Sequence, residues 1–270
     1  MLVSLVSSTY FFWISSKVPR AGKSRTKKDD LMGLRPPNEP PQPKSPTEIL
    51  KWYELNMIIV GGDLIMVIMD RDLEILKLVY RFKFCLGRHI KDLVNFTGAR
   101  ACDRRLKLLV EGGYLAREKY LYGVPYLYTV THKGRILIGS NKRENKIRLE
   151  QIKHDATVLD VLIYFKERYG FSLEKAKSER ELHIKDGFGN RKHHPDFVFR
   201  FEGKIYAVEI ELTLKAKINL EKNIRDNYLN YDKQIWVTDN NKIRELLINF
   251  SNEYPNIEII SLGEVVICRD

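Results

Sequence analysis

Residues 196 to 212 read "DFVFRFEGKIYAVEIEL", two alternating stretches joined by Glu202-Gly203-Lys204, and this pattern limits the possible folds more than any other in the chain. Alternation sends every second side chain to one face of a strand, and a glycine-bearing turn between two such stretches predicts a tight antiparallel hairpin. In "YAVEIEL" Ala207, Glu209 and Glu211 then share one face while Val208, Ile210 and Leu212 bury the other. Asp196 opens the preceding strand with 12 residues before Glu209, so folding the hairpin brings the two carboxylates close. Like charges so near repel unless a cation lies between them, and carboxylate oxygens suit Mg²⁺ or Mn²⁺. Asp196, Glu209 and Glu211 are therefore the candidate metal ligands, with Lys215 placed to offset charge on a reacting phosphate.

The strands around this hairpin predict a second unit, residues 149 to 270, that mixes α and β. "KHDATVLDVLIYFKERYG" is an amphipathic helix, and "ELHIK", "DFVFRF" and "KIYAVEIEL" are expected strands. Lys215 to Asn230 reads as a helix with Leu220, Ile224, Tyr228 and Tyr231 on one apolar stripe, which marks the two tyrosines as core. "QIWVT", a helix from Lys242 to Phe250 and "IEIISL" complete the expected order.

Residues 48 to 148 predict a different unit. "DRDLEILKLVYRFKFC", "GRHIKDLVNFT" and "GARACDRRLKLLVEGG" have helical spacing, and "YLAREKYLY" and "PYLYTVT" form a hairpin around Gly123 and Val124. Three helices followed by a β-hairpin make a winged helix-turn-helix, whose third helix enters the major groove. On that helix Cys102, Leu106 and Leu109 face inward, leaving Arg100, Arg104, Arg105 and Lys107 as candidate DNA contacts. Charge agrees with this division. Residues 51 to 150 carry 19 Lys and Arg against 11 Asp and Glu, whereas residues 151 to 270 carry 19 against 20. A basic first half suits a polyanion, and double-stranded DNA is the expected partner.

Residues 1 to 47 are expected to be a disordered segment with a Pro-rich linker, since six of the ten prolines fall in "PPNEPPQPKSP". The apolar opening "MLVSLVSSTYFFWI" is shorter than the ~20 residues that span a bilayer and lacks a basic n-region and a clear small-residue cleavage site, so neither a membrane span nor a signal peptide is expected. Three unclustered cysteines support neither a disulfide framework nor a thiolate zinc site. A cytoplasmic protein is expected.

Against that reading, "HHPDFVF…YAVEIELTLK" resembles the PD-(D/E)xK nuclease signature within a restriction-endonuclease-like α/β (α+β) fold. Over about residues 70 to 250 the chain is similar to the replication-relaxation family of plasmid proteins and to MobC-type relaxases, which carry a winged helix ahead of the nuclease-like domain. The resemblance implies metal-dependent DNA nicking, with Mg²⁺ or Mn²⁺ and no covalent tyrosine, that starts mobilisation or replication of a plasmid or other mobile element. Other mobilisation or replication proteins and a homodimer belong to the same expectation. Asp196 and Glu209 match the metal-binding carboxylates. Glu211 stands where the signature has its lysine, which leaves Lys215 as a displaced ammonium. Glu179 matches an additional acidic residue. His193 and His194, just before the strand, are either within reach of the phosphate or plain strand-edge residues. The departure at Glu211 keeps a second reading open, a winged-helix regulator whose nuclease-like domain is inactive; a restriction-type double-strand endonuclease is a third.

Overall fold

A computed structural model describes residues 57–60, 63–120, 122, 125–140, 147–186, 192–214 and 216–267, with side chains from 66 to 265. The expected Pro-rich segment, the turn at Gly123 and Val124, and Lys215 lie outside the described residues. A short hairpin, β1 (Met57–Val60) and β2 (Asp63–Met66), comes first.

Helix α1 (Asp70–Arg81) starts with Asp70 and Asp72 in its first turn, where carboxylates favour the helix dipole, and the Asp72 carboxylate accepts the Met69 N–H at 2.8 Å. Its stripe of Ile75, Leu76, Leu78 and Val79 is fully buried. A two-residue strand, β3 (Cys85–Leu86), leads into α2 (Gly87–Leu93), and α3 (Ala99–Glu111) follows. Strands β4 (Leu115–Glu118) and β5 (Leu127–Val130) complete an antiparallel sheet in the order β3-β5-β4. Helix α4 (His132–Leu137) closes this stretch, capped by the Thr131 hydroxyl, which accepts the Gly134 N–H.

Helix α5 (Ile152–Tyr169) ends at Gly170, whose φ of 63° is the left-handed stop that glycine adopts without penalty. Strand β6 (Ala176–Ser178), helix α6 (Glu179–Asp186), β7 (Phe197–Phe201), β8 (Lys204–Ile210), α7 (Lys217–Asn230), β9 (Lys233–Val237), α8 (Asn241–Ser251), β10 (Ile257–Ile260) and α9 (Leu262–Ile267) follow. The five strands form one sheet in the order β10-β9-β8-β7-β6, antiparallel from β6 to β8 and parallel from β8 to β10. Strand alternation divides the core between the two faces. Phe197, Phe199, Val208, Ile210, Ile235 and Val237 join the cluster containing the α5 residues Leu159, Leu162 and Phe165, whereas Trp236 packs with Leu220, Ile224, Ile243 and Leu247 of α7 and α8. The chain is thus a mixed α/β protein with helices on both faces of its larger sheet.

The expected strand "ELHIK" is a helix instead. Ser178 and Glu181 form a reciprocal cap: the Glu181 carboxylate accepts the Ser178 N–H at 2.9 Å and the Ser178 hydroxyl lies 3.4 Å from the Glu181 N–H. This S-x-x-E cap starts α6, and the edge strand is the preceding Ala176–Ser178. The other expected strands of the larger sheet form, and the turn at Glu202 and Gly203 takes the positive φ values, 47° and 77°, of a tight hairpin.

The two stretches share one hydrophobic cluster running from Ile75 to Val265. Polar bridges cross the same boundary. Arg88 and His89 of α2 both reach Asp160 of α5, and Arg81 reaches Glu181 of α6 and the Leu173 and Ala176 carbonyls.

Candidate active site and nucleic-acid interface

Register positions the first carboxylate pair. Phe197 is opposite Val208, and one further step sets Asp196 across from Glu209 just beyond the end of β7. Asp196 is fixed by the backbone: its carboxylate accepts the Ile210 N–H at 2.8 Å, and its carbonyl accepts the Glu179 N–H at 2.9 Å. Glu209 is buried, with one carboxylate oxygen 2.9 Å from the Asn227 amide of α7, which donates to it, and 2.6 Å from Nε2 of His193. Burial, reinforced by the Asp196 charge, pushes the Glu209 carboxyl above its ordinary value against the pull of His193.

A second imidazole stands on the other carboxylate. His154, in the first turn of α5, donates from Nε2 to the Ile210 carbonyl at 3.1 Å and has the same nitrogen 3.6 Å from Asp196, with Nδ1 3.4 Å from Asp155. Burial would lower its pKa, but Asp155 and Asp196 outweigh that and push it up to about 10. His154 rests against Asp196, its charged form favoured by the two carboxylates.

Glu211 follows the pair along the chain. It is buried, one residue past β8, with its N–H on the Val237 carbonyl at 3.0 Å. Among the described residues no three His, Cys, Asp or Glu side chains are spaced to hold a metal ion. Of the expected trio, register and hydrogen bonds position Asp196 and Glu209 across from each other. Two facing carboxylates still fit a hard divalent cation, since Mg²⁺ keeps several waters and uses one or two carboxylates alongside substrate phosphate. The mutual repulsion, met here by two imidazoles, is the local sign that the pair favours positive charge.

The remaining expected residues fall in different places. Glu179 opens α6, and its N–H bonds the Asp196 carbonyl; its carboxylate is 3.5 Å from His183. His194 pairs with Asp186. Tyr228 is not core: the inward stripe of α7 is Leu220, Ile224 and Asn227, and Tyr228 is 41% exposed against the Tyr254 ring. Tyr231 is half-buried beside Glu209, and burial with that charge pushes its hydroxyl up to about 12.

On α3, Arg100, Arg104 and Lys107 are exposed, and Lys107 is loosely paired with Glu111 at 3.7 Å. Arg105 is not on this face. It is 7% exposed, with its guanidinium on the buried Asp72 carboxylate and the Val67 carbonyl, so it ties α3 to α1. Position 105 lies one residue from Leu106 on the inward stripe, which is why an arginine there turns in. Beyond α3, Arg117 stands over the Tyr126 ring at 4.5 Å and Lys119 over Tyr122 at 5.6 Å, two exposed basic-aromatic pairs on β4 and its connection to β5. Sequence reading did not single out these pairs, nor His154, although the Tyr and Lys/Arg interleaving of "YLAREKYLY" was a usable signal.

No family model and no curated protein matches the chain. Among the described residues no helix is long and apolar enough to cross a membrane.

Proposed function

We propose that this chain is a DNA-binding, divalent-metal-dependent DNA-nicking protein of the relaxase type, acting in the cytoplasm at the start of mobilisation or replication of a mobile element. What supports the reading is Asp196 set across from Glu209 at the end of paired strands, each carboxylate held by its own hydrogen bonds. In this reading residues 48 to 148 hold a winged helix, since α1, α2 and α3 with a β3-β5-β4 sheet match that plan, and residues 149 to 270 are a PD-(D/E)xK nuclease-like unit. Asp196 and Glu209 would hold Mg²⁺ or Mn²⁺, which supplies Lewis-acid polarisation of the phosphate and a more acidic water.

The chain's own groups do the positioning. The Ile210 N–H and the Asn227 amide orient the two carboxylates, and α3 presents Arg100, Arg104 and Lys107 to the DNA backbone. In the reaction the oxygen of a water bonds to phosphorus as the bond from phosphorus to a bridging oxygen breaks. The two DNA ends thereby share the elements of one water. Supercoiled plasmid incubated with the full chain and Mn²⁺ is expected to become open-circular, and Asp196→Ala to lose this activity. Unchanged supercoiled DNA with the unaltered chain overturns the enzyme reading, and linear product points to double-strand cleavage instead.

Glu211 favours a second reading. A buried carboxylate at the position where the resembling signature has a lysine suits a DNA-binding regulator with an inactive nuclease-like unit. The same gel separates the two, because that regulator shifts DNA without nicking it.

A further inference from the structure

We propose that Lys83, carried by the first unit, is the phosphate-facing cation of the Asp196–Glu209 centre. The inference rests on the nicking function proposed above and assigns one of its catalytic residues. A negatively charged phosphate approaching two carboxylates needs a nearby cation that stabilises the charge developing on its oxygens. Asp196 lines a cleft between the two stretches of chain, about 40 Å³ in volume, room enough for a water or a phosphate oxygen. Three basic side chains line that cleft: Arg81, Lys83 and Arg180. Arg81 donates to Glu181 and to two backbone carbonyls, and Arg180 donates to the Tyr80 carbonyl while lying 4.3 Å from the Tyr80 ring. Both are built into the boundary. Lys83 is tethered more loosely, with its ammonium 3.6 Å from Asp155 and its side chain 37% exposed. Lys83, Asp155 and Asp196 line this one cleft, and Asp155 adjoins His154, which stands on Asp196.

The backbone supplies an independent observation. Lys83 has φ of 68°, a left-handed conformation that side chains other than glycine, asparagine and aspartate seldom adopt. It follows the C-cap of α1 at Phe82, where glycine is the usual residue. A lysine there holds backbone strain of the kind that gathers at functional sites. Its position also couples the two units: the cation arrives on the chain segment that leads into α2 and α3.

Lys83→Gly separates chemistry from folding, because glycine adopts this φ without strain. In the full chain with Mn²⁺ and supercoiled plasmid, the variant is expected to nick about 100-fold more slowly, with DNA binding by gel shift unchanged and a Tm equal to or above that of the parent. Added ethylammonium is expected to restore part of the rate. Parental nicking by Lys83→Gly overturns the assignment and leaves the nuclease reading standing. A lowered Tm without amine rescue also overturns it, in favour of a structural tether. If the unaltered chain does not nick at all, both the function and this assignment fall.

Discussion

Arg105 shows how one residue type serves opposite ends on one helix. Its neighbour Arg104 is solvated, whereas Arg105 is buried against a fully buried Asp72, which in turn caps α1. Removing one partner of such a pair leaves an uncompensated charge inside the protein, a loss of about 3–5 kcal/mol. Arg105→Met is therefore expected to lower the urea midpoint strongly, and Arg105→Met combined with Asp72→Leu to recover much of that loss. If the double variant is no more stable than the single one, the pair is not the coupled unit described here. The same reasoning explains why an acidic residue at 209 is tolerated in a packed sheet: Asn227 and His193 both engage one of its oxygens.

At the scale of elements, α3 carries the DNA-facing case. Its inward stripe of Cys102, Arg105, Leu106 and Leu109 turns the helix so that Arg100, Arg104 and Lys107 face solvent together. Each phosphate contact releases condensed counterion, so affinity falls with salt in proportion to the number of contacts. Replacing Arg100, Arg104 and Lys107 by alanine one at a time is expected to weaken binding across DNA sequences and to reduce the slope of log K against log salt by about 1 each. A slope that stays at the parental value in all three variants removes this face from the interface. Element α6 carries the opposite lesson. Its S-x-x-E cap outweighs an alternating pattern of only five residues, and a helix forms where a strand was expected.

Across the whole molecule, Asp160 joins α5 to the first stretch of the chain. Arg88 donates to both of its oxygens, at 2.9 and 3.3 Å, and His89, fully buried, lies 3.0 Å away. His89 Nδ1 accepts the Leu86 N–H, so its Nε2 is the nitrogen that donates to Asp160. Burial alone would raise the Asp160 carboxyl, but His89 and Arg88 outweigh it and hold the group well below the usual carboxylate range. A depressed folded pKa contributes stability above the unfolded value of about 4 and loses it as the pH falls through the folded value. Stability measured by urea unfolding is thus expected to drop on acidification below about pH 4, and Asp160→Asn to flatten that drop while costing about 1.5–3 kcal/mol at neutral pH. Parallel acid limbs in the two proteins would show that Asp160 is not a linkage point.

Local chemistry sufficed for much of this chain. Alternation and a glycine turn determined the β7–β8 hairpin and, with it, the meeting of Asp196 and Glu209; helical spacing determined α1, α3 and α5. These features depend on neighbours a few residues away, so periodicity carries them. Only the folded chain decided which charges are solvated and which are buried. Arg105 turned inward because Asp72, thirty-three residues earlier, lies opposite it, and Glu211 is buried one residue past the end of β8. His154 reached Asp196, and Lys83 came to line the same cleft as Asp196, through the packing of α5 and of the first stretch against the sheet. Burial and long-range pairing are properties of the assembled core, and no window of local sequence contains them.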